Sequence, residues 1–301
     1  MKVLVTGSNG LIGNAIVKQI SETNLDLITH TRRKESAIQK TQGVFFDSRF
    51  IDQIILPRDI DCVIHTATSN ENKVEDVNLT LSSTILGTLN LVQKAIEFGV
   101  KRFIYISTTQ VYDTAQEINE DSIVNAKSNY ALQHLVTEKA LQLCSPYFSA
   151  GVTILRVANV FSHSEIALNH RNNLVPTCFV VDGLRNKIIN LKTNGNQRKS
   201  FIHDGSLAKI AVEEIAKNEK IFKVCNVASQ FTPSILEIAN LVASKIKDFG
   251  EHATVSTNPM DFEEYSNLTI KSLYRDLPNY EEQEMLFHSS LEALIQKEMS
   301  K

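Results

Sequence analysis

The sequence MKVLVTGSNGLIG, residues 1–13, decides the fold of this chain. An apolar run at residues 3–5 is followed by Gly7, Gly10 and Gly13 at spacings of three residues. Apolar residues after the second glycine recur at helical intervals, so the stretch predicts a buried strand, a tight glycine turn and the start of a helix. A helix N-terminus presents unpaired N–H groups and a partial positive charge, which together favour the binding of a pyrophosphate.

Each glycine of this turn has a physical reason to be glycine. A side chain at Gly7 or Gly10 would hold phosphates away from the backbone, and one at Gly13 would push the helix off the strand. The alternative is a strand-to-helix turn that binds no ligand. Because the turn lies between a strand and an amphipathic helix, a dinucleotide site is favoured. Its predicted cofactor-binding residues are Gly7, Asn9, Gly10, Leu11, Ile12 and Gly13.

The composition is that of an ordinary globular protein. The 301 residues are 43% hydrophobic and 22% charged, with a net charge of −3, so nothing favours nucleic acid or a membrane surface as a partner. No apolar run approaches the roughly 20 residues of a membrane helix, and Thr6 interrupts the first run too early for a signal peptide. The cysteines lack metal-ligand spacing, which predicts a cytoplasmic protein with reduced thiols and no metal. They are Cys62, Cys144, Cys178 and Cys225.

Short apolar runs alternate with helical patterns along most of the chain. After the first strand, further strands are predicted at residues 25–29, 43–46, 61–65, 102–106, 152–157 and 222–227. Helices are predicted at residues 78–98, 130–143 and 206–215. Ser206 is the expected cap of the last helix, residues 162–173 form a polar loop, and the last eighty residues mix short helices and turns.

This alternation implies right-handed crossovers and a parallel sheet. We therefore expect an α/β protein with a Rossmann-like, doubly wound parallel sheet and a smaller, mostly C-terminal substrate domain. Residues 1–160 form the dinucleotide-binding domain, and segments near residues 198–228 return to it. Residues 161–197 and 229–301 form the substrate-binding domain.

Eight stretches of the chain together resemble one family. They are TGSNGLIG at residues 6–13, VIHTA at 63–67, VNLTLSSTILGTLNLV at 77–92, FIYISTTQVY at 103–112, Tyr130 on its helix, LRVANVFS at 155–162, RKSFIHDGSLA at 198–208 and NVAS at 226–229. Each is degenerate alone, but their order and spacing are specific. The chain resembles the extended short-chain dehydrogenase/reductases, especially the NAD(P)-dependent nucleotide-sugar epimerase, dehydratase and reductase group.

The resemblance implies hydride transfer to or from a sugar carbon, coupled to proton transfer by a tyrosine. It places the tyrosine at Tyr130 and the hydroxyl that holds the reacting oxygen at Thr108. The family's lysine, four residues after the tyrosine, is His134 here. Histidine is mostly neutral at pH 7, with a reference pKa of about 6.5, so it favours tyrosinate much less than a lysine cation does. The sequence therefore predicts an impaired or unusual proton-transfer site, unless the helix extends back to Lys127.

The end of the second strand bears on the choice of cofactor. NAD enzymes usually carry an acidic residue there, whereas this chain has Arg32 and Arg33. Arginine suits a 2′-phosphate, so NADP is expected and NAD is the alternative, unless the arginines only form a solvated turn. The resemblance also assigns Asp47 to the adenine, and His65 and Ala67 to the strand beside the pyrophosphate.

Two further residues are assigned by resemblance to the substrate side. Asn159 matches a residue that faces the substrate or the nicotinamide, and Arg198 matches one that meets the nucleotide diphosphate. Thr109 and Gln110 stand where the dehydratase subgroup carries an acidic pair, which disfavours water elimination.

Two functions from different classes remain open. The chain is expected to be an epimerase or 4-keto reductase of a nucleotide-activated sugar. The alternative is a catalytically impaired dinucleotide-binding or regulatory member of the same family. By analogy, we expect a homodimer formed through the helix at residues 78–98 and the helix that carries Tyr130.

Overall fold

The computed structural model of this protein describes residues 1–32, 41–68, 82–113, 117–170, 174–217, 221–259 and 269–301. Its strands are β1 (Lys2–Thr6), β2 (Asp26–Thr31), β3 (Gln42–Phe45), β4 (Cys62–His65), β5 (Arg102–Thr108), β6 (Glu117–Ile118), β7 (Val152–Val157), β8 (Asn159–Phe161), β9 (Ile188–Asn190), β10 (Phe201–His203), β11 (Phe222–Val227), β12 (Thr254–Ser256) and β13 (Thr269–Ile270). Its α-helices are α1 (Leu11–Ser21), α2 (Gly87–Glu97), α3 (Asn129–Cys144), α4 (Glu165–His170), α5 (Val175–Asn186), α6 (Asp204–Ile215), α7 (Ile235–Asp248) and α8 (Tyr280–Met299).

The chain divides into two units. Unit 1 contains Met1–Asp113, Ser122–Val157 and Gly205–Val227, and unit 2 contains Thr114–Asp121, Ala158–Asp204 and Ala228–Lys301. The division expected from the sequence differs at three points. It leaves residues 114–121 and 158–160 in the first domain, and it begins the returning segment near residue 198 rather than at Gly205.

Unit 1 is built on a seven-stranded sheet with the order β11-β7-β5-β4-β1-β2-β3. Every neighbouring pair of strands is parallel. The strand order reverses between β1 and β4, which confirms the Rossmann-like, doubly wound α/β fold. In such sheets ligands bind outside the carboxyl ends of the strands at the reversal. Thr6 lies at that end of β1, opposite His30 of β2 and His65 of β4.

Burial explains why most strands could be predicted. All residues of β4, β5 and β7 are buried, as expected for parallel strands covered on both faces. Such strands are rich in apolar residues, and β7 and β11 have the predicted bounds. The helix predicted at residues 78–98 is a π-helical segment, Ser82–Leu86, that continues into α2. Residues 78–81 of that prediction lie outside the described residues.

Three predictions of local structure are wrong. The polar stretch at 162–173 contains α4, which begins at Glu165, where a carboxylate suits the positive end of the helix. Helix α6 begins at Asp204, so Ser206 lies inside its first turn and does not cap it. The C-terminal region contains two long helices, α7 and α8, of 14 and 20 residues rather than short ones. Ser234 caps α7 in a capping box with Glu237, and Asn279 caps α8.

Unit 2 combines short parallel strand pairs with three packed helices. Its pairs are β8 with β10, β9 with β12, and β6 with β13. Helix α5 packs on α7 and α8, and a Cβ at Gly183 would lie only 2.5 Å from Ile246 Cδ1 of α7. Phe287 of α8 packs against Phe161 and Phe231, with ring centroids 5.0 and 5.1 Å away. These contacts provide unit 2 with an apolar core of its own.

Candidate cofactor and catalytic site

The turn after β1 requires glycine at two positions. Gly7 has a φ of +67°, in the left-handed region, and a Cβ there would lie 2.8 Å from Thr66 Oγ1 and 2.9 Å from the Ala67 backbone nitrogen. A Cβ at Gly13 would lie 2.2 Å from the Gly7 carbonyl oxygen. The Thr66 hydroxyl also donates to the Thr6 carbonyl at 2.7 Å. Helix α1 therefore starts in direct contact with the carboxyl ends of β1 and β4.

The N-terminus of α1 is suited to an anion. Gly10 is its N-cap, no side chain of the described residues caps it, and its first turn carries no acidic residue. Of the described residues beyond its chain neighbours, a Cβ at Gly10 would meet only the Gly7 carbonyl oxygen, at 3.2 Å, so they leave the space above the turn otherwise open. The first-turn N–H groups, including those of Leu11 and Ile12, have no intrahelical acceptors. These features fit a pyrophosphate, which Leu11 would contact through its backbone because its side chain is buried.

Ser8 and His30 fix the other side of the turn. The backbone N–H and the hydroxyl of Ser8 both donate to the His30 carbonyl, at 3.3 and 3.0 Å. His30 Nε2 lies 2.9 Å from the Phe46 carbonyl, which can only accept, so Nε2 carries the proton. Burial lowers the pKa of His30 to about 4, so this histidine is neutral at pH 7.

His65 is held inside the protein through both ring nitrogens. Thr88 donates its hydroxyl proton to the Thr84 carbonyl at 2.6 Å, so His65 Nε2–H donates to Thr88 Oγ1 at 2.9 Å. His65 Nδ1 then accepts from the Thr6 hydroxyl at 2.6 Å. Burial lowers its pKa to about 3. Any contact of His65 with a cofactor would therefore use the backbone, whereas Ala67 lies directly beside Gly7.

Charged side chains surround the ends of β2 and β3. Arg49 donates to both carboxylate oxygens of Asp47, with distances of 2.5 to 3.1 Å. This pair lowers the pKa of Asp47, and the nearby charge of Arg32 lowers it further. Arg32 itself is exposed at the end of β2, and Arg33 lies outside the described residues. Two arginines and one aspartate therefore give the described part of this corner a net positive charge.

Thr108 and Tyr130 occupy element ends in unit 1. Thr108 is the buried last residue of β5, and its hydroxyl oxygen accepts from the Gln110 N–H at 3.2 Å. Tyr130 lies in the first turn of α3, half-buried, after the N-cap Ser128. Lys127 precedes that cap and pairs with Asp113 at 3.2 Å, so the helix does not extend back to it and the condition under which it could replace the lysine is not met.

His134 is a buried, neutral side chain. It is 1% exposed, and its Nδ1 lies 2.8 Å from the Tyr105 hydroxyl. The Tyr130 ring contacts it edge-on, with centroids 4.8 Å apart. Burial lowers the pKa of His134 to about 3, so at pH 7 it brings no positive charge to Tyr130. Its Nε2 is buried with no hydrogen-bond partner among the described residues.

A buried ion pair fixes the same helix against the sheet. Glu138 of α3 accepts from Arg156 Nη2 of β7 at 2.7 Å and from the Ser107 hydroxyl of β5 at 2.5 Å. The Arg156 guanidinium also stacks on Tyr112, 4.6 Å from the ring centroid, and the Tyr112 hydroxyl donates to Asn226 Oδ1 at 2.7 Å. Breaking a buried pair of this kind costs about 3–5 kcal/mol. The pair therefore holds the helix of Tyr130 in one orientation relative to the strand that ends at Thr108.

The two residues assigned to the substrate lie in unit 2, and both have partners there. Asn159 Nδ2 donates to the Ser200 carbonyl at 3.0 Å, joining β8 to β10. Arg198 pairs with Glu237 Oε1 at 2.5 Å and donates to the Thr232 carbonyl at 2.9 Å. Their side chains therefore stabilise unit 2.

The sequence analysis did not identify the residues whose contacts fix the protonation and orientation of the site's side chains. Tyr105, Ser107, Thr137 and Arg156 are all buried beside residues it singled out. A signal for one of them was present, because a tyrosine inside a continuous apolar strand has to find a partner for its hydroxyl.

The described residues show neither a membrane span nor a metal centre. No helix within the described residues is long and apolar enough to cross a membrane. In the same part of the chain, no group of three or more His, Cys, Asp or Glu side chains is arranged to hold a metal ion.

The chain belongs to the NAD dependent epimerase/dehydratase family, whose model matches residues 3–228. A Methanocaldococcus jannaschii protein, provisionally named a UDP-glucose 4-epimerase, is 27% identical over 265 residues, covering 83% of this chain and 84% of that protein. The dTDP-D-glucose 4,6-dehydratase of Dictyostelium discoideum is 25% identical over 271 residues, covering 80% of this chain and 61% of the relative. The family predicted from the sequence motifs is thereby confirmed.

Solved structures share the fold. The UDP-glucose 4-epimerase of Thermus thermophilus, solved in complex with NAD, superposes with a TM-score of 0.76 over 99% of both chains at 19% identity. At this identity the match demonstrates the fold.

Proposed function

We propose that this protein is an NAD(P)-dependent epimerase or 4-keto reductase that acts on a nucleotide-activated sugar. The observation that carries the proposal is the uncapped N-terminus of α1 behind the left-handed Gly7, at the reversal of the strand order. The names of the relatives support a nucleotide sugar, since they refer to UDP-glucose and dTDP-D-glucose. Thr109 and Gln110 remain the argument against dehydration, because neither serves as an acid or base near neutral pH.

The residues of the site take distinct roles in this proposal. When bound, the dinucleotide would accept or donate the hydride. Its diphosphate would be held by the backbone of the glycine turn, and its adenine end would meet Asp47 and Arg32. Thr108 would orient the reacting oxygen, because its hydroxyl can still donate while its oxygen accepts from Gln110. Tyr130 would exchange the proton with that oxygen. Asn159 and Arg198 would support the substrate side.

One observation favours a second candidate function. His134 is neutral, so it does not stabilise the tyrosinate form of Tyr130 in the way that a lysine cation would. A protein with this site could bind the dinucleotide and turn over slowly or not at all, as a regulatory member of the family. Binding of NADPH without turnover across a panel of nucleotide sugars supports this second function. Oxidation of bound NADPH by a 4-keto sugar supports the first.

The substitution His134→Lys tests the impairment. It is expected to raise kcat by at least about tenfold, because a correctly tuned acid–base group contributes about 10²–10⁴-fold to turnover. The measurement is steady-state turnover with the most active nucleotide sugar of the panel. As a matched control, His252→Lys adds the same charge at an exposed site in unit 2 and is expected to change nothing. Brisk turnover by the wild type, with no gain in the lysine variant, would show that the site is not impaired.

Arg32 is proposed to favour NADP over NAD by binding the 2′-phosphate. Hydrogen bonds to charged groups contribute about 1.5–3 kcal/mol, which corresponds to about 10–100-fold in affinity. Arg32→Ser is therefore expected to weaken NADPH binding by that factor and to leave NADH binding nearly unchanged, as measured by titration calorimetry. Lys18→Ser, in the last turn of α1, is the control for a lost surface charge. A wild type that prefers NADH would refute this assignment.

The homodimer is also a proposal, and the exposed face of α3 supports it. Leu132, Val136 and Leu143 are 42%, 41% and 80% exposed and share one side of the helix. A second copy of the chain would cover this apolar face. Leu132→Glu with Val136→Glu is expected to convert a dimer into a monomer in sedimentation equilibrium. Met285→Glu, at an equally apolar but separate exposed site in unit 2, should leave the dimer intact. A monomeric wild type at micromolar concentration contradicts the proposal.

A further inference from the structure

Three buried side chains of unit 1 lie together in a group that ends at His134, namely Thr137, Tyr105 and His134. The Thr137 hydroxyl donates to the carbonyl of Gln133, one helical turn earlier, at 2.7 Å. A carbonyl oxygen can only accept, so the single proton of Thr137 is committed to this bond. Thr137 Oγ1 can then take part in further hydrogen bonds only as an acceptor.

Tyr105 connects to His134. Its hydroxyl lies 2.8 Å from His134 Nδ1, and it also interacts with the Thr137 side chain. Complete burial raises the pKa of Tyr105 well above its usual value, so the phenol keeps its proton. His134 Nε2 has no partner among the described residues, and a buried N–H without an acceptor is rarer than a buried acceptor without a donor, so the imidazole proton is assigned to Nδ1 and the Tyr105 proton is turned towards Thr137 Oγ1. The Tyr105 oxygen is then free to accept, and His134 Nδ1 has to supply the proton.

We propose that Tyr105 and Thr137 act as positioning residues that hold His134 in the Nδ1–H tautomer, so that Nε2 accepts a hydrogen bond from a hydroxyl of the bound ligand. Nε2 is buried and lacks a partner among the described residues, which is a costly arrangement unless a ligand supplies one. A lone pair attracts a neutral donor and repels a carboxylate or phosphate oxygen. The ligand group is therefore a sugar hydroxyl, and this inference rests on the proposed function, in which ribose and sugar hydroxyls are present.

The polarity of this contact is the opposite of the one a lysine would make. A lysine ammonium has three donors and no acceptor, whereas the Nδ1–H imidazole offers one acceptor at Nε2. His134 would thus position a hydroxyl without contributing charge. The other two buried histidines of unit 1 have the opposite tautomer, so their signals can serve as internal references for that of His134. His30 and His65 both carry their proton on Nε2, because one donates to the Phe46 carbonyl and the other to Thr88.

Long-range ¹H–¹⁵N NMR of protein labelled with ¹⁵N-histidine tests the tautomers directly, since the method distinguishes a protonated from a bare ring nitrogen. His134→Gln identifies the His134 signals by their loss. In the ligand-free wild type at pH 7, we expect Nδ1–H for His134 and Nε2–H for His30 and His65. An Nε2–H or doubly protonated His134 would overturn the proposal, and this result needs no variant to fold.

Tyr105→Phe tests the positioning role. Without the phenol oxygen, His134 Nδ1–H loses its acceptor, so the spectrum should show the Nε2–H tautomer or a mixture, while His65 stays unchanged as the control for folding. A variant with unchanged His65 signals and an unchanged Nδ1–H His134 would overturn the role of Tyr105. If the His65 signals are lost, the variant has not folded correctly, and the smaller change Thr137→Val is used instead. That variant is also expected to shift His134 towards the Nε2–H tautomer.

Ligand titrations test the acceptor role. NADPH and UDP-glucose are added separately, with binding followed by calorimetry, so that a ribose and a sugar hydroxyl are distinguished. The ligand that supplies the hydroxyl should shift the His134 Nε2 resonance and leave His65 Nδ1 in place. Binding of both ligands with no shift at Nε2 would overturn the acceptor role. If neither ligand binds, the proposed function is overturned, and the acceptor role of His134 with it. The tautomer of His134 is measured in the ligand-free protein, so that result does not depend on ligand binding.

Discussion

The close approach of α1 to the ends of β1 and β4 is the constraint on which the rest of the structure depends. It exists because Gly7 adopts a left-handed conformation and because Gly13 has no side chain to collide with the Gly7 carbonyl. The first turn of α1 thereby lies at the point where the strand order reverses, with its N–H groups uncapped by any described side chain. Residues Ser8 and Thr66 hold the turn to β2 and β1 with hydrogen bonds. The chemistry proposed for the protein follows from this placement.

Helix α3 carries the second determinant of function. Among the polar residues buried on its inward side, His134 and Glu138 lie one turn apart and have opposite surroundings. Glu138 is paired with Arg156 and accepts from Ser107. His134 has no charged partner among the described residues and is neutral at pH 7. The ion pair thus fixes the helix against the sheet, while position 134 supplies a hydrogen-bonding group and no positive charge.

The parts of the fold that sequence could predict are those decided by local pattern. Strands β7 and β11 are short and mostly apolar, and the glycine turn is specified by three spaced glycines. Helix α4 was missed because its six residues have no apolar periodicity, and it depends on tertiary contacts. Helix α7 carries a signal in the sequence, because Ser234 and Glu237 are spaced as a capping box before an apolar run, whereas α8 has little apolar periodicity.

The residue types of the site could be predicted from the sequence, but the protonation and the hydrogen-bond partners of those residues could not. Tyr130 and His134 could be placed on one helix from their spacing, but the partners of His134 include Tyr105, which is 29 residues away in sequence. Likewise, nothing in the sequence indicated that both ring nitrogens of His65 are occupied or that Arg198 pairs with Glu237. Protonation and pairing depend on contacts between distant segments, which a single sequence does not reveal.

Calorimetric titration of NADPH into the wild type and into Gly10→Val tests the central claim, that the glycine turn holds a diphosphate. Gly10 has an extended backbone, and among the described residues beyond its chain neighbours a Cβ there meets only the Gly7 carbonyl oxygen, so the variant is expected to fold with a melting temperature within a few degrees of the wild type. Its side chain would occupy the space above the turn. We expect one NADPH per wild-type chain and at least about 100-fold weaker binding by the variant, or about 2.7 kcal/mol. Equal affinity of the folded variant, or no binding by the wild type, would contradict it.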